Sequence, residues 1–188
     1  MLKDLVLKNR SYRRFAQEHV IGEGILRELV ELARLTPSSA NLQNLKYILS
    51  SDPERNGLIF PALAWAGYLK DWPGPEEGER PSGYIVILRD TDISSAESCD
   101  HGIAAQTILL GAAEIGLGGC IIGSIARKKL RRNFNIPDHL EILLVLALGK
   151  PIEAVKLETV GDDGSIEYWR DEKGVHHVPK RSLDDIIL

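Results

Sequence analysis

Seven consecutive apolar residues, Ile142 to Leu148, constrain this chain most. A run without polar alternation reads as a strand buried on both faces, and it is far too short to cross a hydrocarbon layer of ~30 Å. Leu45 to Ser50 and Tyr84 to Arg89 are two more short runs of strand-forming residues, bounded by polar or Gly/Pro residues. Helical spacing governs Ile21, Ile25, Leu26, Leu29, Val30 and Ala33, with Glu23, Arg27, Glu28 and Glu31 opposite and Pro37 closing the segment. Asp100 to Gly116 carries little polar face, so it reads as a helix held mostly inside, with Asp100 as its N-cap and Gly118 or Gly119 as its C-cap.

A chain of 188 residues with 44% hydrophobic and 27% charged content supports one globular domain, 1–188, with a sizeable core. Its formal net charge of -4 argues against coating nucleic acid or an anionic membrane, so any phosphate must be bound locally. With no charged start leading into a long apolar run, the expected location is cytoplasmic. Cys99 and Cys120 lack Cys-x-x-Cys spacing and read as reduced thiols, Cys120 as a buried small hydrophobe. The five histidines lack the pairing of a zinc site, so no metal is expected.

Trp72 to Pro81 is dense in turn formers and carboxylates and reads as a mobile lid. After Gly149-Lys150-Pro151 the chain has few apolar residues. A turn at Gly161 to Gly164 and a strand-like stretch at Ile166 to Trp169 precede its end, and this tail is expected to wrap across its own subunit or a partner.

Two early segments carry the chemistry. Arg10-Ser11-Tyr12-Arg13-Arg14-Phe15 supplies permanently charged planar donors, and Thr36-Pro37-Ser38-Ser39-Ala40-Asn41-Leu42-Gln43 supplies hydroxyls and amides that both donate and accept. Together they suit a phosphorylated, flat, polar-edged ligand of the nucleotide type. Taken singly, the first segment also reads as a solvated helix face and the second as a polar turn ending a helix. Gly116-Leu117-Gly118-Gly119-Cys120-Ile121-Ile122-Gly123 departs from the dinucleotide spacing and follows a helix, so the Rossmann reading fails, although Gly123 would let a ligand approach the backbone. Ser38 and Ser39 lack the G-x-S-x-G elbow of a hydrolase.

The Arg-Ser-x-Arg-x-Phe pattern at Arg10 to Phe15, the Ala33 to Gln43 stretch, the Gly116 to Gly119 run and the terminal Val178-Pro179-Lys180-Arg181-Ser182-Leu183 resemble the nitroreductase-like FMN flavoproteins. The resemblance implies an α+β fold with a mixed, largely antiparallel central sheet flanked by helices, and a homodimer whose C-terminal extension, about 152–188, is exchanged. It implies FMN held by Arg10, Ser11 and Arg13, with Lys180 and Arg181 completing a phosphate clamp and Pro37, Ser38, Ser39 and Asn41 coming from the other subunit.

By the same resemblance Gln43 would support that loop, the backbone at Ile122 and Gly123 would face the flavin ring, and Arg13 would stabilise the reduced ring. Trp65, Tyr68, Lys70 and Trp72 would form a wall for a flat acceptor. The implied activity is transfer of hydride from NAD(P)H through FMN to a nitroaromatic, quinone or other conjugated acceptor. The alternatives are reductive flavin chemistry on one dedicated metabolite, and a flavin-binding or redox-sensing dimer without turnover. Asn9, standing where the family usually has an arginine, favours the last, and Asn44-Leu45 is a further departure.

Overall fold

The computed structural model describes all residues, Met1–Leu188. Its centre is β5, Leu140–Pro151, the apolar run extended at both ends. On one side β5 pairs antiparallel with β3 (Gly83–Asp90), which pairs with β2 (Leu45–Ser50). On the other side it pairs with β4 (Gly118–Ile122) and, further along, with the short β1 (Phe15–Ala16). The central sheet is antiparallel in every pair.

Alternation along β3 and β5 sends successive side chains to opposite faces, and both faces are covered. Ile85, Ile87, Leu146 and Leu148 pack beneath α2 (Glu23–Arg34) and α4 (Asp100–Glu114), against Leu26, Leu29, Ala105 and Ile108. Tyr84, Val86, Val145 and Ala147 face the other way, onto Ile59 of α3 (Pro53–Ile59) and Leu130 of α5 (Arg127–Phe134). This two-sided cover is why the sequence of β5 shows no polar alternation. The remaining helix, α1 (Leu2–Lys8), has no buried residue.

The exit from α4 differs from the expected cap. Gly116, with φ +77°, takes the left-handed position, its amide reaching Ala113 O at 3.3 Å while the Leu117 amide reaches Ala112 O at 2.8 Å. This pair of bonds ties off the helix end. Gly118 and Gly119 lie in β4 instead. At Gly119 a Cβ would meet Ala147 O at 2.5 Å and Leu109 Cδ2 at 2.7 Å, so this glycine is required for close approach. Nor is Asp100 the N-cap of α4. Cys99 holds that position and Asp100 is the first helical residue, its carboxylate directed to the 38–39 loop.

The tail builds a second sheet. β6 (Val155–Thr159) pairs parallel with β8 (His176–Lys180), and β8 pairs antiparallel with β7 (Trp169–Arg170), shorter than the Ile166 to Trp169 stretch expected. Too small for a core of its own, this sheet rests on its own chain's N-terminal segment through Glu153, Tyr168 and His176. No helix is long and apolar enough to cross a membrane.

Candidate functional site

Arg10 to Arg14 is extended rather than helical, running along the open edge of β4. The Tyr12 amide donates to Gly119 O at 3.0 Å and Ser11 bridges to Gly119 in parallel sense. Arg10 is fixed by its neighbours, Nε donating to Asn9 O at 2.6 Å and Nη2 to Val6 O at 2.7 Å. Arg13 lies with its guanidinium carbon 5.0 Å from the Tyr168 ring centroid and Nη1 3.3 Å from His176 Nε2. Arg14 is engaged elsewhere, in a two-pronged pair with Glu79 that includes Nε to Oε2 at 2.6 Å. That hydrogen bond raises the Arg14 pKa and lowers that of Glu79.

Beneath this strip the Glu153 carboxylate is almost fully buried. One oxygen accepts the backbone N–H groups of Arg13 and Arg14, the latter at 3.2 Å, and the other pairs with Arg170 Nη2 at 3.2 Å. Buried carboxylates persist where their lone pairs are filled in this way. The C-terminal sheet and the arginine strip are thereby clamped together.

A cleft of about 300 Å³ results, lined by Arg10, Ser11, Arg13 and Lys180 with Ile121 and His176 among the others. Three cations and no carboxylate line it, so its electrostatics favour an anion. Asn9 is buried at its floor, Nδ2 reaching Gln106 Oε1 at 3.4 Å. His176 is 1% exposed. Burial, then Arg13, Arg170 and His177, hold its pKa down to about 4, so the imidazole is neutral at pH 7. Because Nε2 faces a guanidinium that can only donate, the ring proton is assigned to Nδ1, a buried donor with no partner in the protein.

Of the other residues singled out in the sequence, Arg181 lies just past β8, exposed and outside the cleft lining. Ile122 is buried in the β4–β5 pair and Gly123 follows it, so the side chain presented to the cleft is that of Ile121, 40% exposed. Cys120 is buried, and desolvation raises its thiol pKa against the opposing pull of Arg13.

The 36–43 loop opens onto a separate cavity of about 730 Å³ that includes Pro37, Ser38, Gln43 and Asp100 in its lining. Ser38 Oγ donates to Asp100 Oδ2 at 2.7 Å, the Ser39 amide to Oδ1 at 3.1 Å, and the Gln43 amide to Ser38 Oγ at 3.0 Å. Burial pushes the Asp100 carboxyl up, but these bonds and that from Ser98 leave it net lowered. Gln43 Nε2 also donates to Asn41 O at 3.2 Å, and Ala40, Asn41 and Gln43 all have positive φ, near +50°. Such a conformation is held only by its surroundings. Within one chain the two early segments occupy different cavities.

Residues 72–81 are pinned. The Phe15 amide donates to Glu79 O at 2.9 Å, Gln17 Oε1 accepts from the Gly78 amide at 2.8 Å, and Gly74 and Pro75 are buried. With Arg14 holding Glu79, this segment is a strap rather than a free lid. The aromatic residues before it diverge. Trp65 packs beside Phe60 at 5.8 Å between centroids, Tyr68 meets Tyr168 edge-on at 4.9 Å, and Trp72 lies 4.8 Å from the Arg170 guanidinium. Lys70 is exposed, and the four do not share one cavity wall.

Sequence reading passed over His176, Tyr168, Gln106 and Glu153. The alternation Val175-His176-His177-Val178 was the only signal for any of them, since it marks a strand whose two histidines face opposite ways.

Comparison with known proteins finds relatives of the chain. Residues 78–150 match the model of the Nitroreductase family. The chain is 30% identical over 166 residues to the FMN reductase (NADPH) of Bacillus subtilis strain 168, a match covering 79% of this chain and 65% of that relative. In solved structures, a nitroreductase family protein from Streptococcus pneumoniae TIGR4 superposes with a TM-score of 0.71 at 18% identity, over 100% of this chain and 99% of the other. A protein of Exiguobacterium sibiricum crystallised in complex with FMN gives 0.67 at 16% identity, over 81% and 89%.

Proposed function

We propose that the chain is a nitroreductase-like flavoprotein, an FMN-dependent oxidoreductase that draws on NAD(P)H and reduces a nitroaromatic, quinone or other conjugated acceptor. The observation that carries the reading is the carboxylate-free cleft with Arg10, Arg13 and Lys180 on its rim and a buried, unpartnered His176 Nδ1–H inside. Those donors fit a phosphorylated, polar-edged cofactor.

When bound, FMN supplies the electron-transfer chemistry. The residues orient it. Arg10, Ser11 and Lys180 would bind the phosphate and ribityl end, with Arg181 as a further, exposed cation just beyond β8. Arg13, held by His176 and Tyr168, would supply a fixed positive charge to stabilise the reduced cofactor. The backbone at Ile122 and Gly123 would face the ring, with Ile121 the side chain on the cleft wall.

A homodimer completes the site. A cleft of about 300 Å³ is at the small end for a ligand pocket, and the loop of Pro37, Ser38, Ser39, Asn41 and Gln43 lies elsewhere in the same chain, so a second copy is the source of that wall. The apolar side chains Val6 and Leu7 of α1 and Ile103 of α4, each at least 40% exposed, gain cover in such a pairing. Residues 1–188 then act as one FMN-binding domain, with 152–188 contributing His176 and Lys180 to the cleft of its own chain rather than being exchanged. Tyr68, Lys70 and Trp72 are the acceptor-side residues of this reading, with Trp65 as their support.

Asn9 favours a second reading, a flavin-binding dimer without turnover, because its amide pair with Gln106 leaves the cleft floor neutral. Purified protein decides. Bound flavin bleached by NAD(P)H without oxygen supports the enzyme, bound flavin that stays yellow supports the second reading, and protein that ignores added FMN rejects both. Arg10→Ala is expected to release flavin, and unchanged FMN affinity would count against the clamp.

A further inference from the structure

A third cavity, of about 680 Å³, lies between α3, the turn at Phe60–Ala62 and residues 80–84, and shares no lining residue with the cleft or the 36–43 cavity. Its one charged side chain is Arg80. The guanidinium carbon sits 4.5 Å from the Phe60 ring centroid, and Nε is buried with no partner in the protein. Two residues on, Ser82 is 8% exposed and its Oγ is buried and equally unpartnered. An unmatched buried donor costs free energy, and here two belong to residues that line one cavity.

The backbone that carries both donors is tied down. The Arg80 amide donates to Gln17 Oε1 at 3.2 Å, and Ser82 O accepts from Asn56 Nδ2 at 2.9 Å, while Asn56 Oδ1 is taken by Ser50 Oγ at 2.7 Å. Tyr84 closes the floor, its phenol held protonated by burial against the opposing pull of Arg80. Phe60, Pro53 and Pro61 supply apolar wall.

We propose that this cavity binds a small organic carboxylate, its head taken by the Arg80 guanidinium and the Ser82 hydroxyl and its hydrocarbon lying against Phe60 and the prolines. A guanidinium fork matches a carboxylate in plane and charge, and no acidic residue lines the cavity to compete for it. The apolar walls select an organic acid over inorganic phosphate.

Benzoate titrated calorimetrically into the full-length chain, saturated with FMN so that the flavin cleft is filled, tests this. One benzoate per chain is expected, with flavin absorbance unmoved and with benzyl alcohol and inorganic phosphate both much weaker. R80M is expected to weaken benzoate at least about tenfold, the loss that goes with a charge-assisted hydrogen bond, with S82A weaker by less and R80K between wild type and R80M. Melting temperature and flavin content check that each variant is folded, and if R80M does not fold, S82A and R80K decide. Unchanged benzoate affinity in the folded variants overturns the proposal. So does phosphate binding as tightly as benzoate, or a flavin spectrum that shifts in step with saturation.

Discussion

Ser38 and Asp100 are 62 positions apart in sequence and joined by a 2.7 Å hydrogen bond that ties a left-handed loop to the first turn of α4. Asp100→Ala leaves the Ser38 hydroxyl and the Ser39 amide without their acceptor. A loss of about 1–3 kcal/mol is expected in denaturant unfolding, the usual cost of stranded buried donors. Because the folded pKa of Asp100 is depressed, its contribution is present above the unfolded value near 3.8 and is lost as pH falls through the folded value. The variant's stability therefore converges on wild type below pH 3.8.

His176 and His177 respond to acid in opposite senses. With a folded pKa near 4 against 6.5 unfolded, His176 withdraws stability as pH falls from 6.5 toward 4, because only the unfolded state binds the proton there. His176→Asn is expected to flatten that limb. His177 is raised by its hydrogen bonds to Glu158 and Asp171, so its contribution is present below 6.5 and fades as pH climbs through the raised value. Stability curves of the two single variants against pH separate these effects.

Breaking the Glu153 clamp is expected to loosen the C-terminal sheet. Glu153→Ala removes the acceptor of two backbone amides and leaves Arg170 unpaired, a change costing about 3 kcal/mol or more for a buried pair. Limited proteolysis followed by mass spectrometry should report faster cutting after residue 152. Equal cutting rates in variant and wild type would mean that the sheet is held by other contacts.

Gly119→Ala and Gly123→Ala form a matched pair. The first drives a methyl into Ala147 O and two leucines and is expected to cost about 1–3 kcal/mol, as overpacking does. The second meets nothing nearer than Leu144 Cδ2 at 3.9 Å and is expected to fold as wild type. Thermal melts of the two proteins give the comparison directly.

The periodic elements were legible because one physical signal sets each. The apolar run marked β5, and the 3.6-residue spacing marked α2 to within two residues at its start and one at its end. The strap at 72–81 was misread because composition reports polarity but not partners, and its order comes from Arg14 and Gln17, some 60 residues away. Asp100 was placed at the helix start, yet its bonds run to Ser38 and Ser39, which no local pattern announces. At the cleft the arginines were visible as a cluster, while Glu153 and His176 gain meaning only once the tail folds back.

The position of β5 also orders events during synthesis. Strands β2, β3 and β4 leave the ribosome before residue 140, but their sheet has no middle until β5 arrives to pair with β1, β3 and β4 at once. Until then β3 and β4 present bare edges, the exposure that invites wrong partners in a growing polypeptide. Assembly of this sheet therefore waits until residues 140–151 have been made, and a nascent chain arrested before Pro151 has no route to the native arrangement.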